Sequence, residues 1–294
     1  MRTIQATCSA DLEKNIITTQ EEKGRKVLAV WGPKPGDGVS TVADAAAQLL
    51  WERRERETDK IILLDYNTRT PYLKFQLGLD GCNLLDDLLP FISASNLTTK
   101  ILEKYMATIY NKEGLHFIGG IKRPEFDGRY DHIHFNSLLD AVCSLGQNTV
   151  IDAGNIPDRA GTVTALKKAD YILAVMQPSY ISKQCLKRSL SLFPALGINP
   201  NKVGIVYNRY RSEDEDPQVM AAGLNLPVLG TLNELGSEKH LTGNSWLLNY
   251  KGVKTVALFG ESLKNILEAC GMLPPSESKK KSGLLPRLFA KGAS

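Results

Sequence analysis

Short apolar runs alternate with amphipathic stretches along most of the chain. The runs rich in Ile, Leu and Val predict buried strands at 26–32, 60–65, 115–120, 148–154, 170–177, 202–209 and 227–232. Helix-like stretches lie between them at 40–56, 134–145, 181–196 and 255–270. Near-continuous apolar strands that alternate with helices are typical of a parallel sheet covered on both faces. We therefore predict an α/β fold in which a mostly parallel twisted sheet lies between two layers of helices.

Glycine or a polar residue stands at the end of several predicted strands. These residues are Gly32, Asp65, Asp152, Gln177 and Asn208. Ligands of parallel α/β sheets bind in the crevice outside the carboxyl ends of the strands. The pattern therefore predicts a ligand site at this edge of the sheet.

The segment 32–41, Gly-Pro-Lys-Pro-Gly-Asp-Gly-Val-Ser-Thr, joins the first strand to the first helix. Gly36 and Gly38 allow backbone N–H groups to converge on an anion, and the helix beginning near Ser40 adds the positive end of its dipole. Ser40 also stands where a P-loop places the hydroxyl that binds Mg²⁺. The segment predicts a phosphate-binding loop and an ATP-binding protein.

One residue departs from the common loop pattern G-x-x-x-x-G-K-[ST]. Val39 replaces the lysine that precedes the hydroxyl residue, which removes a positive charge from the β- and γ-phosphates. A glycine-rich turn with a purely structural role is the alternative for this segment taken alone.

A second lysine gives the loop a family resemblance. The run from Lys34 to Thr41, K-x-G-x-G-x-[ST]-T, resembles the deviant Walker A loop K-G-G-x-G-K-[ST] of the MinD/ParA family, and its loop pattern is closest to the CpaE/TadZ-like members. The resemblance implies that Lys34 is the signature lysine, which reaches across a dimer to the partner's nucleotide. The core P-G-[DE]-G-x-S-T also resembles bacterial tyrosine kinases of the same superfamily.

Three further segments follow the order of motifs in this family, and the resemblance covers about residues 25–270. LLDYNTRTPYL (63–73) resembles switch I, with Asp65 at its first carboxylate and Asn67 in place of the second. TVIDAG (149–154) resembles Walker B, which implies that Asp152 holds Mg²⁺ through water. VYNRY (206–210) resembles the adenine-reading segment, with Asn208 as the reader. A helix cap or a solvated strand end is the plain alternative for each carboxylate.

Together, the loop and the resemblance assign the candidate site residues. The predicted nucleotide-binding residues are Lys34, Pro35, Gly36, Asp37, Gly38, Val39, Ser40, Thr41, Asp152 and Asn208. Ser40, Asp65 and Asp152 are the predicted Mg²⁺ residues, and Lys34 and Asp65 the predicted catalytic ones.

Two residues depart from the motifs of the family, and both affect hydrolysis of ATP more than its binding. Val39 weakens charge stabilisation at the transferred phosphate, and the amide of Asn67 cannot act as a general base. The resemblance therefore implies a homodimer formed on ATP, with slow or absent hydrolysis, that positions a pilus, secretion, flagellar or division machine through a protein partner. An active ATPase or tyrosine kinase-like enzyme is one alternative, although no tyrosine follows Tyr250. A ParA-like DNA-partitioning protein is the other.

The chain ends in a basic segment that differs from the rest. We predict a lead-in at 1–24, a nucleotide-binding domain at 25–273, and a linker with a basic amphipathic tail at 274–294. The tail KKKSGLLPRLFAKGAS combines basic and apolar residues without an acid, so residues 279–291 can bind an anionic membrane surface. It resembles the membrane-targeting helix of MinD, from which Pro286 is a departure. A disordered tail without a specific role is the alternative.

Composition limits the remaining classes of function. The net charge of +4 is too small to argue by itself for nucleic acid. Five scattered cysteines without a C-x-x-C pair favour reduced thiols, and no apolar run has the roughly 20 residues that cross a bilayer. We expect a cytoplasmic protein with peripheral membrane association. His132 and His134 are expected on a solvated loop or strand edge, without a metal.

Overall fold

The computed structural model describes residues 25–145, 148–236, 246–249 and 252–275. The strands are β1 (Val27–Trp31), β2 (Ile61–Asp65), β3 (Ala107–Thr108), β4 (Leu115–Ile118), β5 (Asn148–Asp152), β6 (Tyr171–Met176), β7 (Val203–Tyr210) and β8 (Val228–Asn233). The helices are α1 (Val39–Glu52), α2 (Leu73–Gln76), α3 (Leu85–Ser93), α4 (Thr99–Tyr105), α5 (His132–Cys143), α6 (Ala160–Lys168), α7 (Tyr180–Leu196), α8 (Pro217–Met220), α9 (Trp246–Asn249) and α10 (Lys254–Ala269). Segments of 3₁₀ helix lie at Pro124–Arg129, where the backbone of Phe126 is not helical, and at Pro200–Lys202.

The strands form one eight-stranded sheet in the order β3-β4-β2-β5-β1-β6-β7-β8. Every neighbouring pair is parallel except β3 and β4, which are antiparallel. The first strand lies near the centre, between β5 and β6. Because β1, β2, β5, β6 and β7 run in the same direction, their carboxyl ends meet at one edge, where the predicted site residues lie.

Helices cover both faces of the sheet, as the apolar runs predicted. Alternate residues of β1 face opposite cores, since side chains alternate along a strand: Leu28 and Val30 pack with α1 and α10, whereas Ala29 and Trp31 pack with α5, α6 and α7. Every residue of α1 from Val42 to Leu50 is buried, and its alanines bring the helix close to the sheet. The predicted three-layer α/β/α fold is therefore confirmed.

A buried carboxylate fastens α1 to three neighbouring segments. Asp44 accepts hydrogen bonds at 3.0–3.2 Å from Gln48, Gln76, Tyr110 and Trp246. Burial raises the pKa of Asp44, and the four neutral donors oppose that rise. The contacts join α1 to α2, to the segment after β3 and to α9.

The main differences from the sequence prediction are short or capped elements. The pattern did not reveal β3, α2, α3, α4, α6, α8 or α9, because each is too short to display a clear period. The expectation of a loop or strand edge at His132 and His134 was wrong: both lie in the first turn of α5, where Asp131 caps the helix by accepting from the N–H groups of Ile133 and His134. The predicted lead-in and the basic tail lie outside the described residues, and the domain boundaries stay predictions.

Candidate functional site

The loop between β1 and α1 has a backbone that its glycines make possible. Gly36 and Gly38 have φ values of 84° and 95°, in the left-handed region that glycine adopts without steric cost. At Gly38 a Cβ atom would lie 2.1 Å from Nδ2 of Asn208. The close approach of Asn208 therefore requires glycine at this position, and it brings the end of β7 against the loop.

The side chain of Asp37 turns inward and fastens the loop. It is fully buried, and its Oδ1 accepts hydrogen bonds from Lys34 Nζ at 2.7 Å, Ser182 Oγ at 3.2 Å and the backbone N–H of Gln177 at 3.3 Å. Asn208 Nδ2 donates to the carbonyl oxygen of Asp37 at 2.9 Å. The predicted loop residues Lys34 and Asp37 thus form an ion pair that joins the loop to the start of α7.

The remaining loop residues take different positions. Pro35 and Gly36 are exposed at the tip, and Gln177 Nε2 donates to the carbonyl of Gly36 at 2.8 Å. Val39 is buried in the core that contains α1, where a Cβ on Gly32 would lie 2.6 Å from its Cγ2. The side chain of Val39 therefore packs in the core and supplies no charge to the loop.

Ser40, Asp152 and Asp65 come together at the ends of α1, β5 and β2. Ser40 Oγ donates to Asp152 Oδ2 at 2.5 Å, and Asp65 and Asp152 are register partners on adjacent strands. Asp65 is buried, and its Oδ2 has no hydrogen-bond partner in the described part of the chain. The sequence prediction grouped these three residues, and the structure places them side by side.

Burial and like charge shape the protonation of this pair. Burial, followed by the neighbouring charge of Asp152, raises the pKa of Asp65 well above its usual value. Burial also raises the pKa of Asp152, against hydrogen bonds from Ser40 Oγ and the N–H of Gly154. Two adjacent buried carboxylates with a hydroxyl beside them suit a hard divalent cation, which would favour their ionised forms.

Carboxylates and a hydroxyl alone would leave such a cation incompletely coordinated. Across the ranges that the structure describes, no group of three or more His, Cys, Asp or Glu side chains could hold a metal. Mg²⁺ typically binds one or two carboxylates and completes its shell with water and phosphate oxygens. The site therefore fits a cation that arrives with a phosphate ligand.

Asn67 uses its amide to shape the segment after β2. Its Nδ2 donates to Thr70 Oγ1 at 2.8 Å, and its Oδ1 accepts from the Thr70 N–H at 3.2 Å. The side chain also packs against Gly154, where a Cβ would lie 2.7 Å from Asn67 Cγ. The residue thus connects the segments that follow Asp65 and Asp152.

A recess beside the loop contains two of the predicted nucleotide residues. Thr41 and Asn208 line it together with Gly38, Arg209, Glu234, Leu235 and Phe259. Apolar side chains adjoin the Asn208 amide there, and such a combination of stacking surface and hydrogen-bonding edge is what a planar heterocycle uses. The recess shares Gly38 and Thr41 with the phosphate loop, and its volume of about 30 Å³ has room for little more than a water molecule.

Solved structures of low sequence identity share this architecture. A ParA family ATPase from Chlorobium tepidum TLS has a TM-score of 0.72 at 18% identity, over 82% of this chain and 98% of that chain. The septum site-determining protein MinD from Pyrococcus horikoshii OT3, complexed with Mg-ADP, has a TM-score of 0.64 at 20% identity, over 85% and 98%. The fold is that of the ParA and MinD ATPases.

A third similar structure also holds a nucleotide. It is an McdA variant from Cyanothece in complex with ATP, with a TM-score of 0.62 at 16% identity over 83% of this chain and 96% of that chain. No family model matches the sequence, and no curated protein matches it. The resemblance to CpaE and TadZ within this fold stays a prediction.

The sequence prediction missed several residues that contact the loop. Ser182 was placed in a helix without a role, and the inward position of the Asp37 side chain was not foreseen. The strand-end position of Gln177 was the available signal, since that edge holds the loop. Among the helices of the described ranges, none is long and apolar enough to cross a membrane.

Proposed function

We propose that the chain binds Mg-ATP in the segment 32–41 and dimerises on it, and that it hydrolyses ATP slowly or not at all. We further propose that the dimer acts at a membrane to position a cellular machine, through a protein partner of a pilus, secretion, flagellar or division system. The observation that carries the nucleotide assignment is the contact of Ser40 with Asp152 beside a glycine loop at a helix start. Solved proteins of the same fold hold Mg-ADP or ATP, which supports the choice of ligand.

Each part of the nucleotide has a matching group in the proposed mode of binding. Backbone N–H groups of the loop and of the first turn of α1 bind the phosphates. Ser40 and Asp152 hold Mg²⁺, with Asp65 beside them, and the cation neutralises phosphate charge. Within the described residues, Asn208 donates one N–H of its amide to the loop, which leaves its other N–H to read the base.

Slow hydrolysis follows from two side chains near the phosphates. Val39 is apolar and buried, so it provides no charge for the transition state. The amide of Asn67 is engaged with Thr70 and carries no basic group. The proposed site therefore favours a long-lived bound state of ATP over turnover.

Lys34 is the proposed link between nucleotide and dimer. Its side chain is 24% exposed at the rim of the loop and pairs with Asp37 of the same chain. On formation of the dimer, we propose that Lys34 exchanges this carboxylate for the phosphates bound by the partner. Charge-assisted contacts to phosphate are strong enough to compensate for the lost ion pair.

Calorimetric titration with Mg-ATP and sedimentation with and without Mg-ATP test the proposal together. We expect binding of Mg-ATP, a shift from monomer to dimer on binding, and little release of phosphate. Lys34→Ala should retain ATP binding within about tenfold, and it should lose most of the dimer.

A second variant separates the role of Lys34 from a simple structural defect. Lys34→Ala leaves the buried Asp37 without its cation, so the double variant Lys34→Ala/Asp37→Asn removes that carboxylate as well. A double variant that folds normally and still fails to dimerise supports the proposal. Brisk hydrolysis, with an ATP-dependent dimer that Lys34→Ala leaves unchanged, would refute it.

Membrane association is proposed for the basic tail at 279–291, which lies outside the described residues. Each basic residue near an anionic surface contributes roughly 1 kcal/mol, so one tail binds weakly and two tails in a dimer bind much more tightly. Deletion of residues 279–294 should abolish ATP-dependent sedimentation with anionic liposomes. Undiminished liposome binding by the truncated chain would exclude the tail as the anchor.

A further inference from the structure

A second cavity lies at the carboxyl ends of β6 and β7, on the face of the sheet opposite to the recess at Asn208. Side chains alternate along a strand, so Tyr207 points into the core that contains Met176, whereas Asn208 points toward the phosphate loop. The cavity has a volume of about 220 Å³, and Met176, Tyr207 and Met220 are among the residues that line it. It is therefore distinct from the proposed nucleotide site.

The wall of the cavity contains a hydrogen-bond donor without a partner. Tyr207 is 1% exposed, and its hydroxyl makes no hydrogen bond within the described residues. Burial, followed by the charge of Glu215, raises the pKa of Tyr207 to about 12, so the hydroxyl keeps its proton at neutral pH. Because buried polar groups are nearly always paired, this hydroxyl indicates a ligand that brings an acceptor into the cavity.

One cation and one carboxylate also line the cavity. Lys183 in α7 and Glu215 in the segment before α8 form no ion pair within the part of the chain that the structure describes. The charge of Glu215 acts on the hydroxyl of Tyr207, so the acceptor site and the carboxylate are neighbours. Two opposite charges that line one cavity without pairing are complementary to a ligand that carries both signs.

The rest of the lining is largely apolar, and the volume limits the size of the ligand. Met176 is fully buried, Pro178 and Met220 are partly buried, and the exposed ring of Tyr180 completes this surface. An apolar cavity of about 150 Å³ accepts benzene, so a cavity of about 220 Å³ holds roughly nine non-hydrogen atoms. Methionine side chains adapt to apolar groups of different outline, which suits a ligand with a flexible aliphatic part.

These features together describe a binding site for a small zwitterion. We propose that the cavity binds a free apolar α-amino acid of the size of leucine or methionine. The α-carboxylate accepts from the Tyr207 hydroxyl and from Lys183 Nζ, and the α-ammonium donates to the Glu215 carboxylate. The side chain of the ligand packs on Met176 and Met220. The inference does not depend on the proposed function, since none of these residues is a predicted nucleotide-binding residue.

Calorimetric titration of the full chain with L-leucine, and separately with L-methionine, tests the site in the absence of nucleotide. We expect saturable binding of at least one of them with a dissociation constant below about 1 mM. The N-acetyl derivative of that amino acid lacks the ammonium and the amide derivative lacks the carboxylate, so each should bind at least about tenfold more weakly.

Two results of the titrations would overturn the proposal. The first is a dissociation constant above about 1 mM for both amino acids with the folded wild-type chain. The second is a derivative that binds within about threefold of the free amino acid, because recognition would then not require a zwitterion.

Three variants separate this site from a general effect on folding. Tyr207→Phe removes only the unpaired hydroxyl, so it should weaken binding about threefold to tenfold while the free energy of unfolding stays the same or rises. Lys183→Met and Glu215→Gln should each weaken binding about tenfold, because each removes one of the two charge pairs. Lys187→Met, one turn further along α7 and outside the cavity lining, is the matched control and should bind as wild type does. Binding that stays within about twofold of wild type in all three variants would place the ligand elsewhere.

Methionine methyl resonances locate the bound amino acid directly. A chain labelled with ¹³C at its methionine methyl groups has probes at Met176 and Met220 in the cavity, and at Met272 in the core on the other face of the sheet. Titration with the amino acid that binds should shift the signals of Met176 and Met220 and leave that of Met272 in place. Saturable binding that leaves Met176 and Met220 unshifted would overturn the assignment.

Discussion

The two halves of the candidate site carry different charge balances. At the ends of β2 and β5, Asp65 and Asp152 are adjacent and buried, and Asp152 accepts from two neutral donors, the Ser40 hydroxyl and the N–H of Gly154. In the loop, Lys34 and Asp37 form a close pair whose charges cancel, and Val39 adds no charge. One half thus has excess negative charge and the other is close to neutral.

The difference shows where the counter-charge for a triphosphate must come from. The backbone N–H groups of the loop supply partial charges, but no side chain of the loop is an unpaired cation in the described structure. The carboxylate pair attracts a divalent ion, which brings two positive charges to the phosphates. We therefore expect nucleotide affinity to depend on Mg²⁺ more strongly than in a loop that keeps its lysine.

The largest expected effect, on the affinity for Mg-ATP, comes from removing a carboxylate at the ends of β2 and β5. Asp152→Asn should weaken binding of Mg-ATP about 100-fold, or about 2.7 kcal/mol, because the Mg²⁺ site loses its central ligand. Calorimetry with Mg²⁺ and with EDTA measures the change. The exposed Asp158 in the same segment provides the control Asp158→Asn, which should bind normally. Equal affinity of Asp152→Asn and wild type in Mg²⁺ would place the cation elsewhere.

A smaller effect on ATP affinity should follow from adding a positive charge to the loop, the half of the site that is close to neutral. Val39→Lys should tighten ATP binding about tenfold and make it less dependent on Mg²⁺, since an ammonium would reach the phosphates. It should also lower the free energy of unfolding by about 1 kcal/mol, because Val39 packs in the core. Val39→Met has a similar length without the charge, and an equal gain in that variant would exclude the electrostatic explanation.

The smallest expected effect concerns stability without ligand. The pKa of Asp65 is raised above its usual 3.8, so its contribution to stability is complete at low pH and is lost as pH rises through the folded-state value. Asp65→Asn should therefore raise the free energy of unfolding of the ligand-free chain at pH 7 by about 1 kcal/mol and flatten its decline with pH.

Denaturant unfolding in EDTA between pH 5 and pH 8 measures this change. Adding Mg-ATP should reverse the order, because wild type gains stability from binding and Asp65→Asn gains less. A ligand-free Asp65→Asn chain less stable than wild type at pH 7 would contradict the expected protonation of this pair.

The sequence predicted the strands and their polar ends, which a local pattern reveals. It did not predict side-chain contacts between segments that are far apart along the chain. Strands ending at Asp65, Asp152 and Asn208 were predicted because apolar runs stop at polar residues. The inward turn of Asp37 could not be predicted, since its partners Gln177 and Ser182 lie about 140 residues away along the chain. An acidic residue in an exposed-looking loop gives no local sign that another helix will bind it.

The loop at 32–41 and the pair His132 and His134 show why one prediction from the sequence succeeded and another failed. Gly36 and Gly38 predicted the loop because a left-handed backbone selects for glycine. The start of α5 had an available signal in Asp131, which precedes the helix as an N-cap, but His132 and His134 were expected on a solvated loop or strand edge. In such a segment, an N-capping residue indicates the start of a helix as clearly as the periodicity of the apolar residues does.

The antiparallel pair at one edge of the sheet has a consequence for how copies of the chain can associate. Strand β3 has only two residues, so this edge offers few open backbone donors and acceptors to a neighbouring strand. A sheet that ends in so short a strand resists extension from one molecule into the next. Along this border, association of copies must rely on matched side chains, which a ligand can regulate, and not on backbone pairing of the kind that leads to aggregation.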